Sequence, residues 1–320
     1  MADEHDWRPG ADSTVMQRRA RMLQQLRAFF EQRGVIEVET PILNRHTVTD
    51  VHIDSLAVEY HGWLQTSPEY PMKRLLASGS GDIYQICRVF RAGEAGRQHN
   101  PEFSMLEWYR LGFDQHDLMR EVDELVRAVL DDLSLGPTVK LSYRQLFHDY
   151  LDMDPLHSSI EEMQQVAAQH NINLVADEEL ERDDWLDLLL SHSIQPRLPN
   201  DRPVLVHDFP ASQGALARLH EVDGETVACR FELYLQGMEL ANGYHELLDA
   251  VEQRQRFELD RQRRIAQGRP APAIDEKFLA ALEYGLPDCA GVALGLDRLL
   301  MIATGLDDIR QVLSFSADRL

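Results

Sequence analysis

The chain has 320 residues, 44% hydrophobic and 27% charged, a globular composition that fits one large domain or two small ones. No apolar run approaches the roughly 18 residues of a membrane span, and the N-terminus MADEHDWRPGADS lacks the apolar core of a signal peptide. With 54 acidic and 32 basic residues the net charge is −22, which repels a polyanion over most of the surface and argues against RNA as a partner without excluding it.

The same charge suits a basic partner, although solubility alone would explain it. Cys87, Cys229 and Cys289 lie far apart and form no CxxC pair, so neither a disulfide framework nor a zinc site follows. The expectation is three buried thiols in a reducing cytoplasm.

Apolar groups at Val15, Met16, Ala20, Met22, Leu23, Leu26, Phe29 and Phe30 have helical spacing over 14–33, with Ser13 as N-cap and Gly34 as the stop. A β-prone run, VIEVE, follows and ends at Thr40-Pro41. Residues 83–90 and 103–109 read as strands joined by a polar, Gly-rich loop. Residues 116–133 are an amphipathic helix with Leu118, Val122, Leu125, Val129 and Leu133 on one stripe. The stretch 140–226 reads as helical and acidic until Pro196, Pro199 and Pro203 break it before a strand, VLVHD. A hairpin over 227–246, a charged helix over 247–266, a strand over 290–294 and a helix over 296–304 complete the chain. There is no internal repeat, no βαβα rhythm and no clear linker. The fold class this favours is α+β with a largely antiparallel sheet.

Three segments carry candidate chemistry. In CRVFRAGEAGRQHNPEFSMLEWY, Arg88 and Arg91 close a strand beside a Gly-containing loop. A guanidinium there offers a planar fork to phosphoryl oxygens, and a salt-bridged strand end fits the spacing equally well. GVALGLDRLLM sets two glycines and Asp-Arg at the start of an apolar helix, where backbone N–H groups and a cation can meet a phosphate. It is neither a Walker A loop nor a Rossmann fingerprint.

The third segment, RFELYLQGMELANGYHELLD, spaces Glu232, Glu239 and Glu246 by seven, which on a helix would be a solvated stripe. However, ACRFELYL alternates, and Gln236-Gly237 suits a two-residue hairpin loop. That loop pairs Leu235 with Met238, Tyr234 with Glu239 and Glu232 with Ala241. It makes Glu232 and Glu239 diagonal neighbours roughly 7–8 Å apart at Cα, within reach of a shared divalent cation. Bringing Asn242, Tyr244 and Glu246 to the same face requires a bulge, which Gly243 suggests near 241–243.

Together these segments resemble the class II aminoacyl-tRNA synthetases in sequence order. GVIEVETPIL (34–43) is similar to motif 1, with its proline at a dimer interface; FRAGE and HNPEFSMLEWY are similar to motif 2, and GVALGLDRLLM to motif 3. Within the class, TSPEYPMKRLL, QHNPEF, FELYLQGMELANGYHEL and IRQVLSFSADR resemble lysyl-tRNA synthetase. HTVTDVHI, VLVHDFPASQGAL and LPDCAGVALG resemble the truncated paralogues that ligate (R)-β-lysine to a lysine of elongation factor P. The resemblance spans about 14–320. It implies a tail at 1–13, a catalytic domain over 14–320 without an anticodon-reading OB domain, a homodimer, and no tRNA or membrane partner.

The resemblance also implies roles, with ATP and Mg²⁺ as cofactors. Arg91 would stabilise charge at the α-phosphate, and Arg298 would hold the γ-phosphate. His99 and Asn100 would hold ATP and Phe103 would stack on adenine, with Glu94, Glu239, Leu240 and Gly295 completing the nucleotide site. Glu232 and Glu239 would bind Mg²⁺. Glu69, beside Ser67 and Pro68, would meet an amino group near the reacting carboxylate of (R)-β-lysine or lysine. Glu246, with Tyr109, Tyr244 and Asn242, would enclose the side-chain ammonium, and Ala293 would crowd the α-amino end. One position departs from motif 2, where a glutamate usually stands two residues after the arginine; here it is Gly93, followed by Glu94. Two rival readings are a free-standing ligase making a small amide and a non-catalytic regulatory subunit.

Overall fold

In a computed structural model of the chain, which describes residues 7–172 and 180–320, Asp12 rather than Ser13 opens the first helix. Its carboxylate accepts from Val15 N at 2.9 Å, satisfying one of the free N–H groups of α1 (Ser13–Glu31). Gly34, at φ +68°, turns the chain out of the helix as expected. Then follow β1 (Ile36–Glu37), β2 (Leu43–Asn44), β3 (Ala57–Val58), β4 (Gly62–Leu64), α2 (Glu69–Ala77), β5 (Ile83–Phe90), β6 (Glu102–Leu111) and α3 (Gln115–Val129). Helix α3 stops four residues before its expected end. The stretch read as helical begins with a strand, β7 (Val139–Ser142), before α4 (Tyr143–Leu151), α5 (Ile160–Gln169) and α6 (Arg182–Leu189). The part of that stretch at 173–179 lies outside the described residues, as do residues 1–6 of the expected tail. After β8 (Val204–Pro210), β9 (Leu219–Val222), β10 (Glu225–Leu235) and β11 (Met238–His245) come α7 (Ala250–Ala266), α8 (Glu276–Gly285), β12 (Cys289–Gly295) and α9 (Leu296–Thr304).

The chain divides into two compact units. The first comprises Met1–Asp114, Glu124–Leu133 and Leu248–Leu320. Here β5 pairs antiparallel with β6 along its whole length, β6 pairs antiparallel with β12, and β1 pairs parallel with β5. Phe30 of α1 packs under these strands, stacked on Tyr84 at 4.2 Å and edge-on to Trp108 at 5.5 Å. A smaller sheet runs β2–β4–β3. Cys289 is buried in β12, but Cys87 on β5 is only half-buried, which corrects the expectation of three buried thiols.

The second unit comprises Gln115–Asp123 and Ser134–Leu247. Strand β10 pairs antiparallel with β8, β9 and β11, and β7 pairs parallel with β8. Tyr143 stacks on Phe147 at 4.6 Å and tilts against Phe209 at 4.7 Å, in a core completed by Trp185, Leu189 and Ile194. The β10–β11 turn is Gln236-Gly237, at φ +52° and +69°, both left-handed as a tight hairpin with right-handed twist requires.

The hairpin register differs from the expected one. Leu235 pairs with Met238 and Tyr234 with Glu239, but Leu233 pairs with Ala241 and Glu232 with Asn242. The extra residue is therefore Leu240, not one at 241–243. Leu240 is buried at the slip.

Candidate active site

In the first unit, β5 delivers Arg91 and β6 resumes after the loop, whose base is closed by Arg91 N donating to Pro101 O at 2.9 Å. The two strand-end arginines have different environments. Among the described residues Arg88 forms an exposed 3.6 Å pair with Glu102, the salt-bridged alternative, which contributes little in water. Arg91 is half-buried, 3.5 Å from the Glu94 carboxylate and with its guanidinium 5.2 Å from the centre of the Phe103 ring. Its Nε is buried and has no hydrogen-bond partner among the described residues. Gly93 sits at φ +79°, where a side chain would strain the backbone. Glu94 therefore supplies the acid next to Arg91 that Gly93 does not.

At the far end of the loop, Arg298 in the first turn of α9 donates to His99 Nε2 at 2.7 Å and to Gln98 O at 3.2 Å. Withdrawal from water and the positive charge of Arg298 hold the His99 imidazole below its usual pKa, so it is neutral and accepts. Asn100 is buried and spends its amide on the protein: it donates to Glu102 O at 2.7 Å and accepts from Ala317 N at 3.0 Å. Gly295 caps α9 without a side-chain bond. Buried Asp297 beside it receives Ser104 N and Arg19, tying α9 to β6 and α1.

A second cluster in this unit joins Ser67, Glu69, Glu107 and Tyr109. Ser67 Oγ donates to Glu107 Oε2 at 2.7 Å and accepts from Glu69 N at 3.0 Å, while Tyr109 OH donates to Glu107 Oε1 at 2.7 Å. Lys73 Nζ donates to Glu69 Oε1 at 2.6 Å. Burial first, and repulsion from Glu69 second, push Glu107 up to about 8. Ala293 lies directly across the β6–β12 ladder from Glu107, which places its methyl group on the same face.

In the second unit, the bulge at Leu240 puts Arg230, Glu232 and Tyr234 of β10 on one face with Glu239, Asn242 and Tyr244 of β11. Glu232 is buried and accepts from Arg230 at 2.5 Å, from Tyr234 OH and from Asn242 Nδ2 at 3.3 Å. Burial, then repulsion from Glu239, raise it to about 6. Asn242 Oδ1 is buried without a hydrogen-bond partner among the described residues. Arg230 is itself braced, with its guanidinium 4.5 Å from the Phe209 ring centre and Nη1 donating to Gln213 O at 2.9 Å. Glu246 is buried just past the strand, with its carbonyl accepting from Arg218 at 3.1 Å.

Residues 5–319 match the family described as tRNA synthetases class II (D, K and N). The chain belongs to that family. Curated relatives named elongation factor P–(R)-β-lysine ligase are 49% identical in Edwardsiella ictaluri, 48% in Proteus mirabilis and 46% in Klebsiella pneumoniae, with all of this chain and all of each relative covered. The α+β architecture is that of a class II synthetase domain.

Within this class II frame, the structure brings Arg91, Glu94, His99, Phe103 and Arg298 around one loop. It groups Ser67, Glu69, Tyr109 and Ala293 around Glu107, and sets Glu232, Glu239, Asn242 and Tyr244 on one hairpin face. Sequence reasoning missed Glu107 and Lys73. The signal for Glu107 was present: it is the one charged residue in the middle of the apolar strand run FSMLEWY.

Two carboxylates on one hairpin face, one of them raised first by burial and then by repulsion from the other, are a donor set that suits a divalent cation completed by phosphate oxygens and water. Among the described residues, no group of three or more His, Cys, Asp or Glu could hold a metal by itself. No helix among the described residues is long and apolar enough to cross a membrane.

Proposed function

We propose that this chain activates (R)-β-lysine with ATP as an aminoacyl-adenylate and ligates it to a lysine side chain of elongation factor P. The observation that carries this reading is the full-length identity of 46–49% to relatives bearing that name. The Glu69–Ser67–Glu107 cluster supports it chemically, because Lys73 answers the Glu69 carboxylate and an ammonium group would answer the buried Glu107 carboxyl once it ionises.

In this reading Arg91 meets the α-phosphate, where its fork stabilises charge as the substrate carboxylate attacks, and Arg298 meets the γ-phosphate. Phe103 offers a face to adenine, while Asn100 acts through the backbone it pins. Glu69 and Glu107 orient the amine, and Glu246 with Tyr244 meets the side-chain ammonium. Glu232 and Glu239 hold Mg²⁺, which when bound offsets phosphate charge. Arg230 and Tyr234 keep Glu232 in a fixed rotamer for that task. Exposed Ile36, Ile42 and Leu43 flank Pro41 and support a homodimer through motif 1. Pyrophosphate exchange tests the activation step: exchange with (R)-β-lysine is expected, and no exchange with any lysine isomer would overturn the reading.

A further inference from the structure

Lys73 lies one turn into α2, directly above Glu69, and its side chain is 1% exposed. A lysine gives up water only when its charge is answered. Around Nζ are the Glu69 carboxylate at 2.6 Å and the face of Phe278 at 5.8 Å, in a wall where Tyr70 stacks on Phe278 at 4.5 Å. Nothing proposed for the reaction uses this ammonium, yet it sits behind the carboxylates that meet the substrate amine. The links are continuous: Lys73 holds Glu69, the Glu69 backbone holds Ser67, Ser67 holds Glu107, and Tyr109 holds the other Glu107 oxygen.

We infer that Lys73 is a positioning and specificity-determining residue for the substrate amine: it fixes Glu69 and sets the charge of the Glu69–Ser67–Glu107 cluster so that it accepts one ammonium group. This rests on the proposed reading that Glu69 and Glu107 meet that amine. Without substrate, Lys73 cancels Glu69, and Glu107 keeps a proton at neutral pH because burial and Glu69 raise it to about 8. When an ammonium group arrives, Glu107 releases that proton to solvent, and two carboxylates then face two cations. Proton and charge balance on both sides, and a second ammonium would find no carboxylate left. The charged and titratable groups acting on Glu107 are Glu69, Lys73 and Tyr109, with the Cys87 thiol also coupled to it on the neighbouring strand; Lys73 pulls Glu107 down while Glu69 pushes it up.

The test is Lys73→Met, with Lys73→Gln as a companion that keeps a donor to Glu69 but no charge. In pyrophosphate exchange, both should raise KM for (R)-β-lysine about tenfold or more while KM for ATP stays within about twofold. Independently of any substrate, the Glu107 carboxyl is followed by ¹³C NMR of glutamate-labelled enzyme and assigned with Glu107→Gln. It should titrate near pH 8 in the wild type and higher in both variants, because the cation that lowers it is gone. Folded variants with an unmoved titration and an unchanged amine KM would overturn the inference, as would an equal rise in both KM values. If neither variant folds, Glu69→Gln tests the same coupling from the other side and should lower the Glu107 titration. A wild type that exchanges with no lysine isomer sinks the proposed function, while the NMR titration still decides whether Lys73 governs the cluster.

Discussion

Three residues carry the sharpest expectations. Glu239→Gln keeps shape and removes one of two charges facing the proposed cation, so adenylate formation at physiological Mg²⁺ should fall by roughly 10²–10³-fold with the fold intact. Full activity in that variant would remove Glu239 from the ligand set. Ala293 stands across the ladder from Glu107, so its methyl group borders the carboxylate proposed to hold the amine. Ala293→Gly should therefore raise kcat/KM for α-lysine relative to (R)-β-lysine, by about 1–3 kcal/mol of discrimination. An unchanged ratio would show that the methyl group only packs. Glu107 also links pH to stability. Its folded pKa, about 8, lies above the ordinary glutamate value of 4.5, so the folded state binds the extra proton between those values. Stability therefore declines as pH rises from the lower value to the upper. Glu107→Gln removes this decline, and its melting temperature should gain on the wild type between pH 5 and pH 8; parallel curves would contradict the assignment.

At the scale of the element, the hairpin β10–β11 decides which groups share a face. Its turn was legible because Gln-Gly between alternating strands is a local signal, and the helix Leu296–Thr304 was legible because an apolar run follows a glycine. The bulge was legible as a requirement but not as a place. Gly243 marks a residue that tolerates a bulge, whereas the slip occurs at Leu240, a buried residue that carries no local bulge signal. Glu107 was missed for a similar reason, since its partner Ser67 is forty residues away and no local pattern joins them. Asp12 displaced Ser13 as N-cap because both are good caps and the geometry of one residue decides. Gln236 holds a left-handed conformation that asparagine adopts more readily, so Gln236→Asn should stabilise the fold by roughly 0.5–1 kcal/mol in urea titrations. A loss of stability would mean that the glutamine side chain contributes more than its backbone strain costs.

At the scale of the whole molecule, full-length identity of 46–49% to relatives named elongation factor P–(R)-β-lysine ligase leaves the amide-forming and non-catalytic readings disfavoured. A dimer built on Pro41 and its exposed apolar neighbours should appear in light scattering at micromolar concentration, and monomer alone would count against it. A charge of −22 repels a polyanion over most of the surface. The central claim is transfer to a protein lysine, and intact-protein mass spectrometry tests it most directly. Elongation factor P incubated with this enzyme, ATP, Mg²⁺ and (R)-β-lysine should gain the mass of one β-lysyl group on a single lysine, and should gain none when ATP is withheld. An unmodified acceptor, in a reaction where pyrophosphate exchange proceeds, would contradict it.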